Sequence, residues 1–299
     1  MSTESPIEVA VQRLRNGNVV AMPTETVYGL AGDAMNPLAI RRIYALKGRP
    51  AGHPVIVHLG TNESPSDWGE INQTAQSLID AFWPGPLTLI VRKHPHVPNE
   101  VTGGLDTVGI RMPAHPTAQA LLNAFGSGLA APSANRFGRI SPTTAAHVSS
   151  EFGSDLMVLD GGPSTVGVES TIVDTTSAKP AILRSGGITR QSIIDQIGTL
   201  GTSQTVAPGT LKSHYAPLTS LLISAQPDID RERLESEGLQ VAIFRAPPIN
   251  EHARTLYSEL RRLDALNVDV LIAEPASDDG LGEAINDRLN RASHKFSTD

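Results

Sequence analysis

The stretch ALKGRPAGHPVIVHL, residues 45–59, gathers four side chains that can carry positive charge or move a proton, namely Lys47, Arg49, His53 and His58. The whole chain has a formal net charge of −7, so this positive cluster is local. Lys47 and Arg49 follow a predicted helix end, where free carbonyls and the helix dipole favour a cation by roughly 0.3–1 kcal/mol. That explanation accounts for one cation, whereas a site for a small anion accounts for both. The local pattern leaves both interpretations open.

Polar residues also stand in and after other predicted strands. In PTETVYGL, strand alternation predicts Thr24 and Thr26 on one face and Glu25 on the other, just before a glycine that allows close approach of a ligand. Arg111 lies within the strand-like GIRMP. A buried guanidinium there needs a carboxylate or a phosphate to offset its loss of water. The strand ends are therefore candidate binding positions.

The segment APSANRFGRISPTT, residues 131–144, spaces Ser133, Asn135 and Ser141 along a turn. Such an array of hydroxyl and backbone groups is suited to hold phosphates, although Ser141 also fits the role of a helix cap. The strands in VGVESTIVD and ILRSGG also stand beside polar residues. Because strand ends and their loops collect ligand groups in α/β sheets, the sequence predicts one common pocket.

The elements that must position these residues alternate between helices and short strands. PLAIRRIYALKG predicts a helix that begins at Pro37 and ends at Gly48, and PVIVHL predicts a buried strand. The mixture of strands and helices over residues 1–200 predicts an α/β domain with a twisted mixed sheet. Hydrophobic periodicity disappears in residues 201–217, which predicts a linker. Residues 218–299 follow a β-α-β-α-β-α pattern, which predicts a small Rossmann-like parallel α/β/α domain.

Composition excludes several classes of protein. The chain has no cysteine, which rules out disulfides, thiolate nucleophiles and cysteine-ligated zinc. It has no apolar run of about 18 residues and no N-terminal signal pattern, so we expect no membrane segment and a cytoplasmic location. Residues 1–200 carry 14 Lys and Arg against 16 Asp and Glu, which disfavours a long polyanion as the main ligand. The usual phosphate loop, G-x-x-x-x-G-K-[ST], does not occur.

Seven motifs occur together in an order and spacing that resemble the YrdC-like domain: PTETVYGL, KGRP with HPVIVHL, FWPGPLT, GIRMPAHP, APSANRFGRISPT, ESTIVD and ILRSGG. The segment PGTLKSHYAP and the C-terminal α/β unit are similar to the two-domain form of the L-threonylcarbamoyladenylate synthases. This resemblance implies a nucleotidyltransferase that converts ATP, L-threonine and bicarbonate or CO2 into threonylcarbamoyl-AMP and pyrophosphate. The product would pass to downstream threonylcarbamoyl transferase proteins, which modify tRNA next to the anticodon. A weak contact of this chain with tRNA stays open.

The resemblance also implies roles for individual residues. Lys47 and Arg49 match the family's basic pair at the ATP phosphates and are the implied catalytic residues. The other residues implied to bind ATP are His53, Thr107, Ser133, Asn135, Ser141, Arg184, His214 and Tyr215. The residues implied to bind L-threonine are Thr26, His58, Arg111, Ala131 and Ser170. We expect magnesium on the ATP phosphates, no metal site made by the protein alone, and a linker that closes over the nucleotide.

Other functions compete with this interpretation. An RNA-binding module of the same fold, without adenylate-forming activity, would show salt-dependent affinity for RNA and no need for threonine. Carbamoyl transfer of the kind used in hydrogenase maturation also employs a related domain, but those proteins carry cysteine zinc modules and this chain has no cysteine. A tRNA-bound scaffold without activity is a third alternative. An assay that omits each substrate in turn separates them.

Overall fold

The computed structural model describes residues 4–50, 52–205, 207–209 and 214–294. The strands of the first sheet are Val20–Met22 (β1), Gly29–Asp33 (β2), Ile56–His58 (β3), Leu87–Arg92 (β4), Thr107–Arg111 (β5), Leu129–Ala130 (β6), Met157–Val158 (β7), Thr171–Asp174 (β8) and Ala181–Arg184 (β9). The helices around this sheet are Pro6–Arg15 (α1), Pro37–Lys47 (α2), Gln73–Phe82 (α3), Asn99–Thr102 (α4), Pro116–Phe125 (α5), Ala145–Phe152 (α6) and Arg190–Ile197 (α7).

The helices begin and end at residues that the sequence marks. The Ser5 hydroxyl accepts from the backbone N–H of Glu8, and the Glu8 carboxylate accepts from the backbone N–H of Ser5, which forms a capping box at the start of α1. Helix α2 begins at Pro37 and ends before Gly48, whose φ of 63° lies in the left-handed region that glycine adopts readily. The sequence prediction for α2 is therefore confirmed at both ends.

The first sheet mixes parallel and antiparallel neighbours, as the sequence predicts. Its order in the described part of the chain is β7-β1-β2-β6-β3-β5-β4-β8-β9. Strands β3 and β5 are parallel, and their register places His58 opposite Arg111. Strands β8 and β9 are antiparallel, so the start of one lies beside the end of the other. As a result, polar residues from both ends of strands meet over one region of the sheet.

The segment PTETVYGL differs from its predicted strand conformation. Residues 23–28 form a turn between β1 and β2, because the Thr24 hydroxyl donates to the Val27 carbonyl oxygen at 2.6 Å and accepts from the Val27 N–H at 3.2 Å. Local hydroxyl-to-backbone bonds of this kind compete with strand pairing. The expectation that Glu25 and Thr26 lie on opposite faces is therefore wrong, and both side chains contact Arg111.

A smaller sheet follows the linker. Its elements are Ser220–Ile223 (β10), Pro227–Ser236 (α8), Val241–Phe244 (β11), Ile249–Asp264 (α9), Val270–Ala273 (β12) and Gly282–Ser293 (α10). The strands pair in parallel in the order β10-β12-β11, which confirms the predicted parallel α/β arrangement. We call residues 4–197 the N-terminal unit and residues 220–294 the C-terminal unit, and the domain boundaries drawn from the sequence stay predictions. No helix in the described ranges is long and apolar enough to cross a membrane.

The two units share apolar packing. The core cluster of the C-terminal unit also contains Val27, Ile140 and Val168 of the N-terminal unit, together with Tyr215 of the linker. Nearby, Gly167 has a φ of 82°, and a Cβ there would lie 2.4 Å from the Arg254 Cα of α9. Real Cβ atoms do not approach backbone atoms so closely, so the two units require glycine at this contact.

We expect Gly167→Ala to destabilise the protein more than Gly280→Ala, measured as the free energy of unfolding in urea. Both glycines have positive φ, which costs an alanine roughly 1–2 kcal/mol, but a Cβ at Gly280 meets nothing within 4 Å. Overpacking against α9 adds about 1–3 kcal/mol at Gly167 alone. Equal losses in the two variants would contradict the tight contact between the units.

Candidate active site

One pocket lies over the region where β3, β5, β8 and β9 bring their polar residues together, with a cavity volume of about 60 Å³. All five residues that the sequence assigns to threonine line it, namely Thr26, His58, Arg111, Ala131 and Ser170. Five of the residues assigned to ATP also line it, namely Arg49, Ser133, Arg184, His214 and Tyr215. The expectation of a common pocket is met for these ten residues.

Arg111 is buried in the pocket wall and held from three sides. Its Nη2 donates to the Glu25 Oε1 at 2.5 Å, its Nη1 donates to the Thr26 Oγ1 at 2.9 Å, and its Nε donates to the Gly85 carbonyl oxygen at 3.3 Å. The second oxygen of Glu25 accepts from the Ala114 N–H. Glu25 is thus the carboxylate partner that a buried guanidinium needs. Each terminal nitrogen of Arg111 retains a second N–H with which it can bind a ligand anion.

Sequence reasoning missed Glu25 as a functional residue. A strand interpretation of PTETVYGL turned this side chain away from Thr26, whereas the turn directs both toward Arg111. The sequence signal for Glu25 was the arginine in the predicted strand GIRMP. A buried guanidinium requires a carboxylate partner, and Glu25 lies in another of the candidate segments.

His58 is a buried, uncharged imidazole beside Arg111. Burial and, as the second cause, the charge of Arg111 together lower its pKa to about 3. Within the described residues its buried Nδ1 has no hydrogen-bond partner. A neutral histidine in this place can exchange hydrogen bonds with a polar ligand without adding charge.

Arg184 connects the sheet to the linker. Its Nε and Nη2 donate to the Ser170 carbonyl oxygen at 3.1 and 2.9 Å, and Nη2 also reaches the Ser170 Oγ at 3.0 Å. Its Nη1 donates to the Pro208 carbonyl oxygen at 3.0 Å. The Ser170 Oγ also forms a hydrogen bond of 2.7 Å with the Thr88 Oγ1. Burial lowers the pKa of Arg184. Because its hydrogen bonds are made with neutral oxygens, its positive charge is not cancelled by them and can attract an anion.

Arg49 is a second cation at the wall with unused hydrogen-bonding capacity. Its Nη2 donates to the Pro54 carbonyl oxygen at 2.7 Å, while its buried Nε has no partner among the described residues. Burial of the guanidinium lowers its pKa to about 10. A cation in this environment is stabilised by an incoming phosphate or carboxylate.

The structure does not bring Lys47 or Asn135 to the pocket wall. Lys47 is buried, and its Nζ donates to the carbonyl oxygens of Ser133 at 2.5 Å and of Asn135 at 2.7 Å. The Asn135 amide donates to the carbonyl oxygens of Arg136 and Arg139. Burial lowers the pKa of Lys47 well below its usual value. Both side chains therefore fix the turn that presents Ser133, and their contact with ATP stays a prediction.

His53, Thr107 and Ser141 also lie outside the pocket wall. His53 is half-buried with its ring centroid 6.0 Å from that of Phe137. Thr107 begins β5, at the opposite end of that strand from Arg111. The Ser141 hydroxyl donates to a carboxylate at 2.7 Å instead of facing the cavity. The sequence alone does not show which end of a strand or which side of a turn faces the ligand.

The linker residues His214 and Tyr215 line the pocket. Their ring centroids lie 4.0 Å apart at 80°, and burial lowers the pKa of His214 to about 3 and raises the pKa of Tyr215 to about 12. The neighbouring Ala216 N–H donates to the Gly138 carbonyl oxygen at 2.8 Å, which ties the linker to the N-terminal unit. Residues 210–213, for which the sequence also predicts closure, lie outside the described residues.

A second carboxylate that the sequence analysis missed is Glu169. It lines the pocket and is buried, and its Oε1 accepts the Ser141 bond while its Oε2 accepts from Tyr257 at 2.7 Å and from Arg288 at 2.9 Å. Burial alone raises the pKa of Glu169, but the charges of Arg288 and Arg184 outweigh burial and bring the value to about 2. Its position directly before Ser170 in ESTIVD was the available signal.

No three His, Asp or Glu side chains lie together in the described residues in a way that could hold a metal ion. The ionic groups at the pocket wall are mainly arginines. The carboxylate of Glu169 at this wall is paired with Arg288, and that of Glu25 behind it is paired with Arg111. The charged donors at this wall are therefore suited to an anionic ligand.

Comparisons with known proteins agree with these observations. A family model described as "Telomere recombination" matches residues 12–186, and one described as "Threonylcarbamoyl-AMP synthase, C-terminal domain" matches residues 183–294. The threonylcarbamoyl-AMP synthase of Pyrococcus abyssi is 39% identical over 97% of this chain and 94% of that protein. The synthase of Bacillus subtilis is 38% identical over 98% of this chain and 94% of that protein. The crystal structure of P. abyssi Sua5 complexed with L-threonine is similar with a TM-score of 0.91 and 37% identity, over 98% of this chain and 96% of that chain.

We expect Glu25→Ala to lower the free energy of unfolding by about 3–5 kcal/mol, because it leaves Arg111 buried without its carboxylate. The matched control is Glu100→Ala, which removes an exposed pair with Arg41 that is worth about 0–1 kcal/mol. Urea unfolding of the two variants beside the unchanged protein gives both values. A loss of the same size in both variants would show that burial does not matter at Arg111.

The lowered pKa of His58 predicts acid sensitivity. As pH falls below about 6.5 the unfolded chain protonates His58, whereas the folded chain excludes the proton until its pKa of about 3. Stability is therefore present above pH 6.5 and is lost as pH falls toward 3, by up to about 1.4 kcal/mol per pH unit. We expect His58→Gln to reduce the slope of unfolding free energy against pH by about that amount between pH 6 and 5. An unchanged slope would mean that the folded protein binds the proton at His58.

Proposed function

The chain belongs to the threonylcarbamoyl-AMP synthase family, and from that premise we propose that it converts L-threonine, bicarbonate or CO2, and ATP into threonylcarbamoyl-AMP and pyrophosphate by nucleotidyl transfer. The observation that carries the proposal is the convergence of ten predicted threonine and ATP residues on one pocket. Its product would supply the threonylcarbamoyl transfer proteins that modify tRNA, which favours a cytoplasmic location.

The threonine carboxylate would bind the free N–H groups of Arg111. A guanidinium fork matches a carboxylate in a two-bond arrangement, and Glu25 and Thr26 hold that fork in place. His58 and Ser170 would contact the polar groups of the amino acid, since both line the same wall. Binding in this orientation presents the threonine amine to the rest of the pocket.

The chemistry needs no nucleophile from the protein. The threonine amine attacks the carbon of CO2 and releases one proton to water, which leaves a carbamate whose oxygen is anionic. That oxygen attacks the α-phosphorus of ATP, the bond from the α-phosphorus to the bridging oxygen breaks, and pyrophosphate leaves with the electron pair. Catalysis would then rest on positioning and on cations around the phosphoryl group.

Arg49 and Arg184 would supply these cations. Both line the pocket, and the Nε of Arg49, which has no partner among the described residues, can donate to a phosphate oxygen. Magnesium would be held by the ATP phosphates, where it neutralises charge on the leaving pyrophosphate. Lys47 would act by holding the carbonyls of the turn at Ser133, and we propose a direct phosphate contact only when ATP reshapes that turn.

Substrate entry would require the linker to move. A cavity of about 60 Å³ is much smaller than the roughly 300–1,000 Å³ of pockets that bind drug-sized ligands, so it does not hold ATP in this state. Pro208 and Gly209 together with His214 and Tyr215 form the wall on the linker side. Carbamates and mixed anhydrides react with water, so closure of this segment would protect the intermediates.

We propose a catalytic domain of residues 1–200, a closing linker of residues 201–217 and a C-terminal domain of residues 218–299.

The direct test is release of pyrophosphate with ATP, L-threonine and bicarbonate, each omitted in turn. We expect release only when all three are present, because the carbamate is the attacking group. Release that ignores threonine would overturn the proposed function. Salt-dependent RNA binding without pyrophosphate release would instead support the RNA-binding alternative.

We expect Arg49→Ala to lower kcat/KM for ATP by about 100-fold or more, because it removes a charged donor from a shielded site. Tyr215→Ala is expected to lower turnover through loss of closure. The matched control is Arg13→Ala on the exposed face of α1. If the Arg49 variant is as active as the control, Arg49 does not have the proposed role in binding ATP.

A further inference from the structure

The C-terminal unit reaches the pocket through Glu169. Among the described residues, two of the three side chains that hydrogen-bond this carboxylate come from that unit, namely Tyr257 on α9 and Arg288 on α10. The third, Ser141, belongs to the N-terminal unit. Glu169 itself is part of the pocket wall. The C-terminal unit therefore contacts a residue of the candidate site directly, at about 120 residues' distance along the chain.

Arg288 is the more unusual of the two partners because its side chain is wholly inaccessible to solvent. Its Nε donates to Glu169 at 2.9 Å and its Nη1 donates to Asp287 at 2.8 Å. Its guanidinium carbon lies 5.4 Å from the centre of the Tyr215 ring, within the range of a cation–π contact. One buried cation thus touches both a wall residue and a linker residue.

Tyr215 depends on these neighbours for its position. Its backbone has a φ of 63°, a left-handed conformation that is unfavourable for a non-glycine residue. Its ring stacks on Tyr257 with a centroid distance of 5.6 Å and an angle of 29°. Because the backbone conformation is costly, the contacts with Tyr257 and Arg288 must hold it there.

Glu169 also lies close to a second cation, because Arg184 donates to the carbonyl oxygen and the hydroxyl of the adjacent Ser170. Burial raises the pKa of Glu169, and the charges of Arg288 and Arg184 lower it. In the present arrangement Glu169 bonds Arg288, and Arg184 bonds Ser170 and the linker carbonyl of Pro208 instead. If Arg288 were removed, the buried carboxylate would need a new cation, and Arg184 is the one at hand. Such a pair would neutralise a charge that the pocket holds for the phosphates.

We propose that Arg288 is a positioning residue of the active site, which keeps Glu169 away from Arg184 and holds Tyr215 against the pocket. Tyr257 shares this task through its hydroxyl and its ring. The role rests on the proposed function for its effect on ATP, but its effect on the linker is independent of that function. The C-terminal unit is thereby a part of the active site and more than an attachment for the linker.

The kinetic test compares Arg288→Met with the double variant Arg288→Met/Glu169→Gln. We expect Arg288→Met to raise KM for ATP by about tenfold or more and KM for threonine by less than about twofold, because only Arg184 is neutralised. Glutamine at 169 carries no charge to draw Arg184 away, so the double variant should recover most of the affinity for ATP. An equal rise of both KM values, or no recovery in the double variant, would overturn the proposal.

The matched control is Arg262→Met, which removes an arginine of α9 whose side chain is 58% exposed. Its kinetic constants should equal those of the unchanged protein. If Arg288→Met shows no cooperative thermal transition, the kinetic test is made with Tyr257→Phe. This variant removes one hydroxyl donor to Glu169 and keeps the ring. We expect this variant to raise KM for ATP by about two- to fivefold, with KM for threonine unchanged. Unchanged KM for ATP in Tyr257→Phe would count against the proposal.

A second measurement does not require turnover. The Ala216 N–H is bonded to Gly138 and reports whether the linker stays in place next to Tyr215. We expect hydrogen exchange at Ala216 to be about tenfold faster in Arg288→Met and unchanged in Arg262→Met. Absence of threonine-dependent pyrophosphate release in the unchanged protein would refute the proposed function alone. Unchanged exchange in Arg288→Met would refute the positioning role alone.

Discussion

Burial of cationic side chains around one small pocket is the constraint on which the rest of the structure depends. Arg111, Arg184 and Arg288 are all buried there, and Lys47 is buried beneath the neighbouring turn. Like charges in a region shielded from water repel one another, so each must be offset by an anion or by carbonyl oxygens. The protein offsets only part of this charge, and what is left over is suited to a carboxylate and a chain of phosphates.

The buried cations have different hydrogen-bond partners, and these partners determine what each cation can bind. Arg111 is paired with a carboxylate and a hydroxyl, which fix its direction and leave two N–H groups for a ligand. Arg184 and Lys47 are held by neutral carbonyl oxygens, which satisfy donors without cancelling charge. A mixed sheet makes this possible, because antiparallel neighbours bring the start of one strand, at Ser170, to the end of another, at Arg184.

The second unit contributes to the same balance of charge. Glu169 is an anion inside a cationic pocket, and its arginine hydrogen-bond partner is a buried residue of α10 and not one of the cations that face the ligand. The same arginine packs on Tyr215 of the linker, which lines the pocket. Electrostatics inside the site and the position of the linker are thus coupled through one side chain. A two-unit chain can use this coupling because the units share an apolar core.

The sequence by itself determined the features that near neighbours control. The capping box at Ser5, the left-handed end of α2 at Gly48 and the alternation of strands and helices follow from bonds and periodicities within a few residues. The family resemblance of motifs along the chain also implied ten of the nineteen residues that line the pocket in the described part of the chain. Only the tertiary structure decided that Glu25 faces Arg111 and that Glu169 faces Arg288. These pairs join residues far apart in the chain, and their partners are chosen by burial, where an unpaired charge is costly, and not by any local pattern.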